Sequence, residues 1–293
     1  MPSEHAARLE VRKTYKLFIG GAFPRSESGR SYVVNDARGR FLANASLASR
    51  KDARDAVAAA GKAWPAWWGR TGYNRGQILY RVAELLEERR EQFVGQVAAA
   101  DGIDAADADR QVSDAIDRWV WYAGWADKLA SVLGSSNQVA GPYFDFSTPE
   151  PTGTVAVVAP QRSSLLGLVS VIAPVIVAGN TVVVLAAEDR PLPAVTLTEV
   201  LATSDVPGGV VNVLTGKVAE VAPWLASHAD VKALDLTGVD DATLAAGLER
   251  SAADTLTRVV RPPAQDPDWP ADPDLTRLKA FLETKTVWHP IGS

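Results

Sequence analysis

The chain has 293 residues, 47% hydrophobic and 22% charged, a balance that suits a globular protein with one large core or two modest ones. Lys and Arg number 30 against 35 Asp and Glu, a formal charge of -5, so the basic excess selected by nucleic acid or an anionic membrane is missing and neither is an expected partner. A cysteine count of 0 excludes disulfides, thiolate metal sites and thiol redox chemistry.

Residues 1–16 lack the apolar core of a signal peptide, which predicts a cytoplasmic location. Residues 17–24 (LFIGGAFP) predict a short strand and a Gly-Gly turn, and residues 31–37 a second strand ending at Asn35-Asp36. Ser49 with Asp52 at the third helical position predicts a capped helix with Ala53, Val57, Ala60 and Trp64 on its apolar face, ended by Pro65. A longer helix is expected over residues 74–99, burying Ile78, Val82, Leu85, Leu86, Phe93 and Val97, with the charges of residues 87–91 on a solvated face. A third helix is expected over 106–133, whose stripe of Trp119, Tyr122, Trp125 and Leu129 reads as core or interface packing rather than a ligand platform. Tyr143, Phe144 and Phe146, with prolines on either side, predict an extended ribbon over 135–151.

From Gly153 the pattern alternates strand and helix. Strands are expected at 154–159, 181–185, 210–215 and 231–236, and helices at 165–178, 192–203 and 218–227. Short β-branched runs between helices are the signature of a parallel sheet covered on both faces, so the fold class is α/β: an open, mostly parallel, Rossmann-like sheet, with an N-terminal helical layer added. The uncharged stretch 163–187 is long enough to span a bilayer, but Pro174 and Gly179-Asn180 interrupt it, so it reads as buried helix, turn and buried strand. Residues 261–273 (RPPAQDPDWPADP) are too rich in Pro and Asp for a regular element and are expected to cross the surface. A helix over 275–283 and a strand over 285–288 complete the chain. His5, His228 and His289 are scattered, so neither a metal site nor a Ser-His pair is indicated.

Three segments, 150–160 (EPTGTVAVVAP), 173–183 (APVIVAGNTVV) and 207–216 (PGGVVNVLTG), resemble the aldehyde dehydrogenase superfamily. Ile19-Gly20-Gly21, Tyr122-Ala123-Gly124 and 226–231 (ASHADV) extend the resemblance over nearly everything up to Gly238, and 281–288 (FLETKTVW) is similar to the family's C-terminal strand, which in that fold lies against a neighbouring subunit. The resemblance divides the chain into a cofactor-domain-like unit at 15–260, with the ribbon 135–151 as an arm, a linker at 261–274 and a C-terminal helix and oligomerisation strand at 275–293. In the family a second domain carries a cysteine nucleophile and a general-base glutamate, which would need on the order of 100 residues. Here residues 261–274 stand in its place.

The resemblance also assigns roles. The family's Pro-Trp-Asn, whose amide donates to the developing oxyanion, is Pro160-Gln161-Arg162 in this sequence. Its Lys-Pro-Ala-Glu ribose clamp is 185–188, of which Glu188 alone survives. Its Thr-Gly-Ser, which meets the pyrophosphate, is Thr237-Gly238-Val239, followed by Asp240, and Lys217-Val218 replaces a glycine-rich loop. Glu188, Pro160, Thr237 and Gly238 are therefore expected as vestigial cofactor-binding residues, with NAD(P) binding weak or lost, no catalytic residue and no metal. Ser163 and Ser164 are expected to cap a helix. Tyr143, Phe144, Phe146, Thr286, Val287 and Trp288 are the expected interface. The function read from this set is a catalytically inactive, structural or regulatory subunit, resembling the degenerate second module of two-module aldehyde dehydrogenases, whose partner is a full-length aldehyde dehydrogenase or a second copy of the chain. An NAD(P)-dependent oxidoreductase acting on aldehydes and a non-catalytic nucleotide sensor are the alternatives.

Overall fold

The computed structural model describes residues 13–292, so His5 and most of the segment 1–16 lie outside the described residues. The chain opens with the antiparallel pair β1 (Ser31–Asn35) and β2 (Phe41–Ser46). A helical layer follows: α1 (Arg50–Trp68), α2 (Gly72–Glu88), α3 (Arg90–Asp101), α4 (Ala105–Trp125) and the short α5 (Leu129–Leu133). The ribbon strands β3 (Ser135–Asn137) and β4 (Tyr143–Pro151) lead into β5 (Thr154–Val158), α6 (Leu166–Val177), β6 (Thr181–Leu185), α7 (Leu192–Thr203) and β7 (Val211–Leu214). Then come α8 (Val218–Ala226), β8 (Ala233–Asp235), α9 (Ala242–Ala253), β9 (Arg258–Val260), α10 (Thr276–Ala280) and β10 (Leu282–Pro290).

The main sheet has the order β7-β6-β5-β8-β9 and every pairing in it is parallel. Its strands alternate faces with period two. Val155, Val157, Val182 and Val184 point into one core with residues of α2, α4, α6 and α7, whereas Ala156, Val158, Val183 and Leu185 point into the other with α1, α8 and α9. Burial on both faces explains why these strands read as unbroken apolar runs. The order reverses between β5 and β8, and the loops after those two strands flank the crevice where open α/β sheets bind ligands.

Several boundaries differ from expectation, each for a tertiary reason. The strand expected at 17–24 is reduced to isolated bridges, Phe18 to Val213 and Ile19 to Ala22. Helix α1 runs through Pro65 to Trp68, because Trp67, rather than the half-buried Trp64, is fully buried and donates its Nε1–H to Ile176 O at 2.9 Å. The helix expected over 74–99 breaks at Arg89 (φ -104°, ψ 16°), which lets α3 turn to bury Phe93 and Val97. The one expected over 106–133 stops at Trp125, where the chain passes so close to α2 that a Cβ on Gly72 would lie 2.3 Å from Ala126 O. Trp119 and Tyr122 are core residues, and burial pushes the Tyr122 hydroxyl up to about 12. Strands β2 and β9 and helix α9 add to the elements the sequence predicts. The C-terminal helix ends at Ala280 and the strand starts at Leu282, because the Phe281 carbonyl between them accepts from Thr152 N and Asn180 Nδ2. Among the described residues, no helix is long and apolar enough to cross a membrane.

Two of the family-like motifs act as clasps. Gly20 and Gly21 adopt φ of 63° and 84°, and a Cβ on Gly21 would sit 2.9 Å from the Gly208 Cα, so two loops meet backbone to backbone. Asn212 secures the meeting by accepting from Gly20 N at 2.9 Å and donating to Gly209 O at 2.8 Å. Asn180, fully buried, accepts from Gly153 N at 2.8 Å while its amide reaches Phe281 O.

Candidate functional site

The crevice at the carboxyl ends of β5, β6 and β8 gathers every residue the sequence nominates for a nucleotide, and each is engaged within the chain. After β5, Pro160 is buried; the N-cap position of α6 is Leu165, and Ser163, two residues earlier, accepts from Gly167 N at 2.8 Å through its Oγ and so satisfies one amide of the first turn. Ser164 does not cap; its N–H donates to Asp101 Oδ2. Gln161 brackets two strand ends, donating from Nε2 to Ala159 O at 2.7 Å and accepting Glu188 N–H at 3.0 Å. Arg162 points into the crevice mouth and bridges two carboxylates, Asp266 at 2.5 Å and Asp240 at 3.5 Å. The guanidinium is therefore held by the loop after β8 and by the linker, and both acids hold it well above its ordinary range.

After β6, Glu188 turns to the start of α8. Its Oε1 accepts from Val218 N, its Oε2 pairs with Lys217 Nζ at 3.1 Å, and its carbonyl accepts from Tyr32 Oη at 3.1 Å. A carboxylate at a helix N-terminus is electrostatically satisfied there, since it meets the unpaired amides of the first turn and the positive end of the dipole. Lys217, where the sequence departs from a glycine-rich loop, also approaches Asp189 at 3.9 Å.

After β8, Thr237 N and Oγ1 both donate to Asp235 Oδ1. Gly238 lies directly on β5: its N–H reaches Val158 O at 3.0 Å, and a Cβ there would sit 1.8 Å from Ala159 O. Only glycine permits that approach. Sequence reasoning missed the group that completes this end. Asp235 is fully buried, and Arg277 of α10 reaches its Oδ2 at 3.2 Å and the Thr237 hydroxyl at 3.3 Å. A lone acid in the run 231–236 (VKALDL) signalled that a cation had to arrive, but nothing in the spacing pointed to Arg277.

Beside this crevice, Asp101 at the end of α3 is nearly buried and pairs with Arg190 at 3.3 Å; burial raises its carboxyl above the ordinary aspartate range despite Arg190. Among the described residues, no group of three or more His, Cys, Asp or Glu could hold a metal ion.

The six expected interface residues come together on two adjacent strands. β4 lies antiparallel between β3 and β10, with Phe146 opposite Val287, Ser147 opposite Thr286 and Asp145 opposite Trp288. Tyr143 and Trp288 meet edge to face with centroids 5.6 Å apart, Phe144 and Phe146 lie 5.5 Å apart, and Ser147 and Thr286 hydroxyls are hydrogen bonded at 2.9 Å. Tyr143, Phe144 and Trp288 remain 41%, 50% and 56% exposed.

A sequence profile of the aldehyde dehydrogenase family matches residues 23–260. The chain is 32% identical over 240 residues to cytosolic 10-formyltetrahydrofolate dehydrogenase of Mus musculus, covering 79% of this chain and 26% of that protein. It is 34% identical over 237 residues to retinal dehydrogenase 2 of Gallus gallus, covering 78% of this chain and 45% of the relative. Among solved structures, an NAD-dependent aldehyde dehydrogenase from Sinorhizobium meliloti superposes with a TM-score of 0.78 at 26% identity, over 88% of this chain and 51% of the other. The chain thus spans between about a quarter and about half the length of these relatives. With the profile covering most of its residues and the parallel sheet shared with the solved structure, the chain belongs to the aldehyde dehydrogenase family.

Proposed function

We propose that this chain is a catalytically inactive member of the family that serves in the cytoplasm as a structural or regulatory subunit of a full-length aldehyde dehydrogenase. The observation that carries the reading is the absence of cysteine from a sequence whose family chemistry requires a thiolate to form a thiohemiacetal before hydride can leave. The crevice supports it. Glu188, the remaining half of the ribose clamp, is committed to Val218 N and Lys217, and Thr237 is committed to Asp235 and Arg277. Asp240 and Asp266 place negative charge where phosphates would lie. These residues do not fit a tightly held dinucleotide. The exposed aromatics and the uncovered edge of β10 supply a docking surface of the kind a related subunit would cover.

The test is co-expression with a full-length aldehyde dehydrogenase from the same cell, followed by sizing. Co-elution at fixed stoichiometry is expected, and Trp288→Ala with Tyr143→Ala should weaken it at least about tenfold, as loss of two exposed aromatic anchors does at interfaces. A chain that stays monomeric beside its full-length relative would overturn the docking reading. The same preparation, mixed with aldehydes and NAD or NADP, is expected to give no reduced nucleotide above background. Turnover would establish the oxidoreductase alternative, and sub-millimolar nucleotide binding lost in Glu188→Ala would establish the sensor.

A further inference from the structure

The linker between β9 and α10 is fastened very unequally along its length. Its second half is held from below: Arg118 of α4, 7% exposed, donates to Trp269 O at 2.6 Å and Ala271 O at 2.9 Å, and Arg277 stacks on the Trp269 ring at 5.2 Å. Its first half has no such support. Among the described residues, no backbone hydrogen bond secures residues 262–267, and the groups that fasten it are the exposed ion pairs Arg162–Asp266 and Arg261–Glu249. Beneath this half lies a cavity of 570 Å³, whose floor is Thr237, Val239 and Ala245, and whose wall is Arg162 and Asp240. The carboxyl ends of β5 and β8 thus open under residues 261–266.

We propose that residues 261–268 form a strap over the crevice, latched at Arg162 and hinged at the Arg118 anchor, whose opening controls access to the space above β5 and β8. Arg162 is the latch because, among the described residues, it is the one side chain that joins the strap, through Asp266, to the loop after β8, through Asp240. Both pairs are solvent-exposed, so salt weakens them strongly, with the Debye length falling to about 3 Å at 1 M. The second half, held through carbonyls to a buried guanidinium, keeps its place. Closed, the strap puts the Asp266 carboxylate across the crevice mouth and repels anions. Open, it removes that charge and leaves Arg162 with Asp240 alone. The inference stands apart from the docking reading, because strap motion is measured whether or not a partner binds.

The absence of cysteine makes the test direct. A single thiol is placed beneath the strap at Val239→Cys, a position 4% exposed, and in a second variant at Ala245→Cys, 6% exposed. A control thiol goes on the same helix at Ala252→Cys, which is fully buried away from the cavity. Labelling rates are measured with a small neutral thiol reagent at low and 1 M salt, with and without Arg162→Ala. Expected is about two- to fivefold faster labelling at Val239 or Ala245 on adding salt or removing Arg162, the size an exposed ion pair supports, with a smaller effect of salt once Arg162 is gone, left to the Arg261–Glu249 pair, and no change at Ala252. Rates at both cavity positions that ignore Arg162 and salt would overturn the strap, as would a parallel rise at Ala252, which would mark global opening instead.

Discussion

Asp235 is a buried carboxylate at the carboxyl end of β8, and its pairing sets a testable energy. Removing Arg277 strands a buried charge, so Arg277→Ala is expected to cost about 3 kcal/mol or more in urea unfolding, whereas Asp235→Asn combined with Arg277→Met should recover part of it, since the amide leaves no charge to desolvate while its oxygen still accepts from Thr237. Asp101 poses the opposite case. Burial raises its carboxyl, so the native state binds the proton more tightly than the unfolded chain does. The penalty is absent below the ordinary aspartate range, grows as pH rises toward the raised folded value and stays constant above it. Asp101→Asn mimics the protonated form, so the stability difference between variant and parent should shift in the variant's favour from about pH 3 to about pH 7, read by thermal melts across that range. A difference independent of pH would show that Asp101 titrates as in the unfolded chain. At this scale the sequence was half legible. Asn180, Asn212, Gly20 and Gly21 survive as family-like residues because they clasp backbone to backbone, and the positions that changed, Arg162, Lys217 and Asp240, are those facing the crevice. What Arg162 bonds to was not legible, since Asp266 arrives from far along the chain.

Elements were readable where one local rule decided them. The capping box at Ser49 is present as expected, with Asp52 returning a bond to Ser49 N at 2.8 Å. Its environment adds what the local motif could not show: Asp52, 4% exposed, also accepts from Ser26 Oγ at 2.7 Å and Glu27 N at 3.2 Å, tying the approach to β1 onto α1. Ser49→Ala should therefore cost about 1 kcal/mol, as an ordinary cap does, while Asp52→Ala, which orphans three donors, should cost at least twice as much in the same denaturant titration. Equal losses would mean that Asp52 contributes to the cap alone. The strands β6 and β5 were legible because burial on both faces makes a compact β-branched run between turn residues. Helix α9 and strand β9 were not, since an alanine-rich segment and a three-residue strand carry little periodicity of their own and take their form from the sheet they complete. The breaks at Arg89 and after Trp125 escaped for a related reason: apolar spacing continues across each, while the turn at Arg89 lets α3 bury Phe93 and Val97 and close packing of α2 against α4 stops the helix after Trp125.

For the molecule as a whole, the question is whether the C-terminal segment is a detachable arm or part of the domain. The resemblance to family members draws it as an arm, because β10 reaches out to pair with β4 and shows Trp288 to solvent. The bonds at its base say otherwise. Phe281 is 1% exposed and its carbonyl takes two donors, one from Thr152 before β5 and one from Asn180 before β6. Arg258 of β9 holds the carbonyls of Ala280 and Leu282 and pairs with Glu283. Arg277 neutralises Asp235 inside the sheet. Deleting residues 275–293 would thus leave a buried carboxylate without its cation, the buried amide of Asn180 with Val175 O as its one remaining acceptor and β4 without its long partner. Each unmet buried group costs about 1–3 kcal/mol and an unpaired buried charge about 3–5, a sum comparable to the whole stability of a domain at about 5–15 kcal/mol. The truncated chain is expected to lose its near-ultraviolet circular dichroism and its cooperative urea transition together. If it instead unfolds with the parent's midpoint, the segment is an independent arm and the sheet tolerates Asp235 alone. Loss of cooperativity would mean that the same residues that carry β10 also close the core, so that a partner of the kind proposed, by covering β10, would act directly on the stability of the crevice.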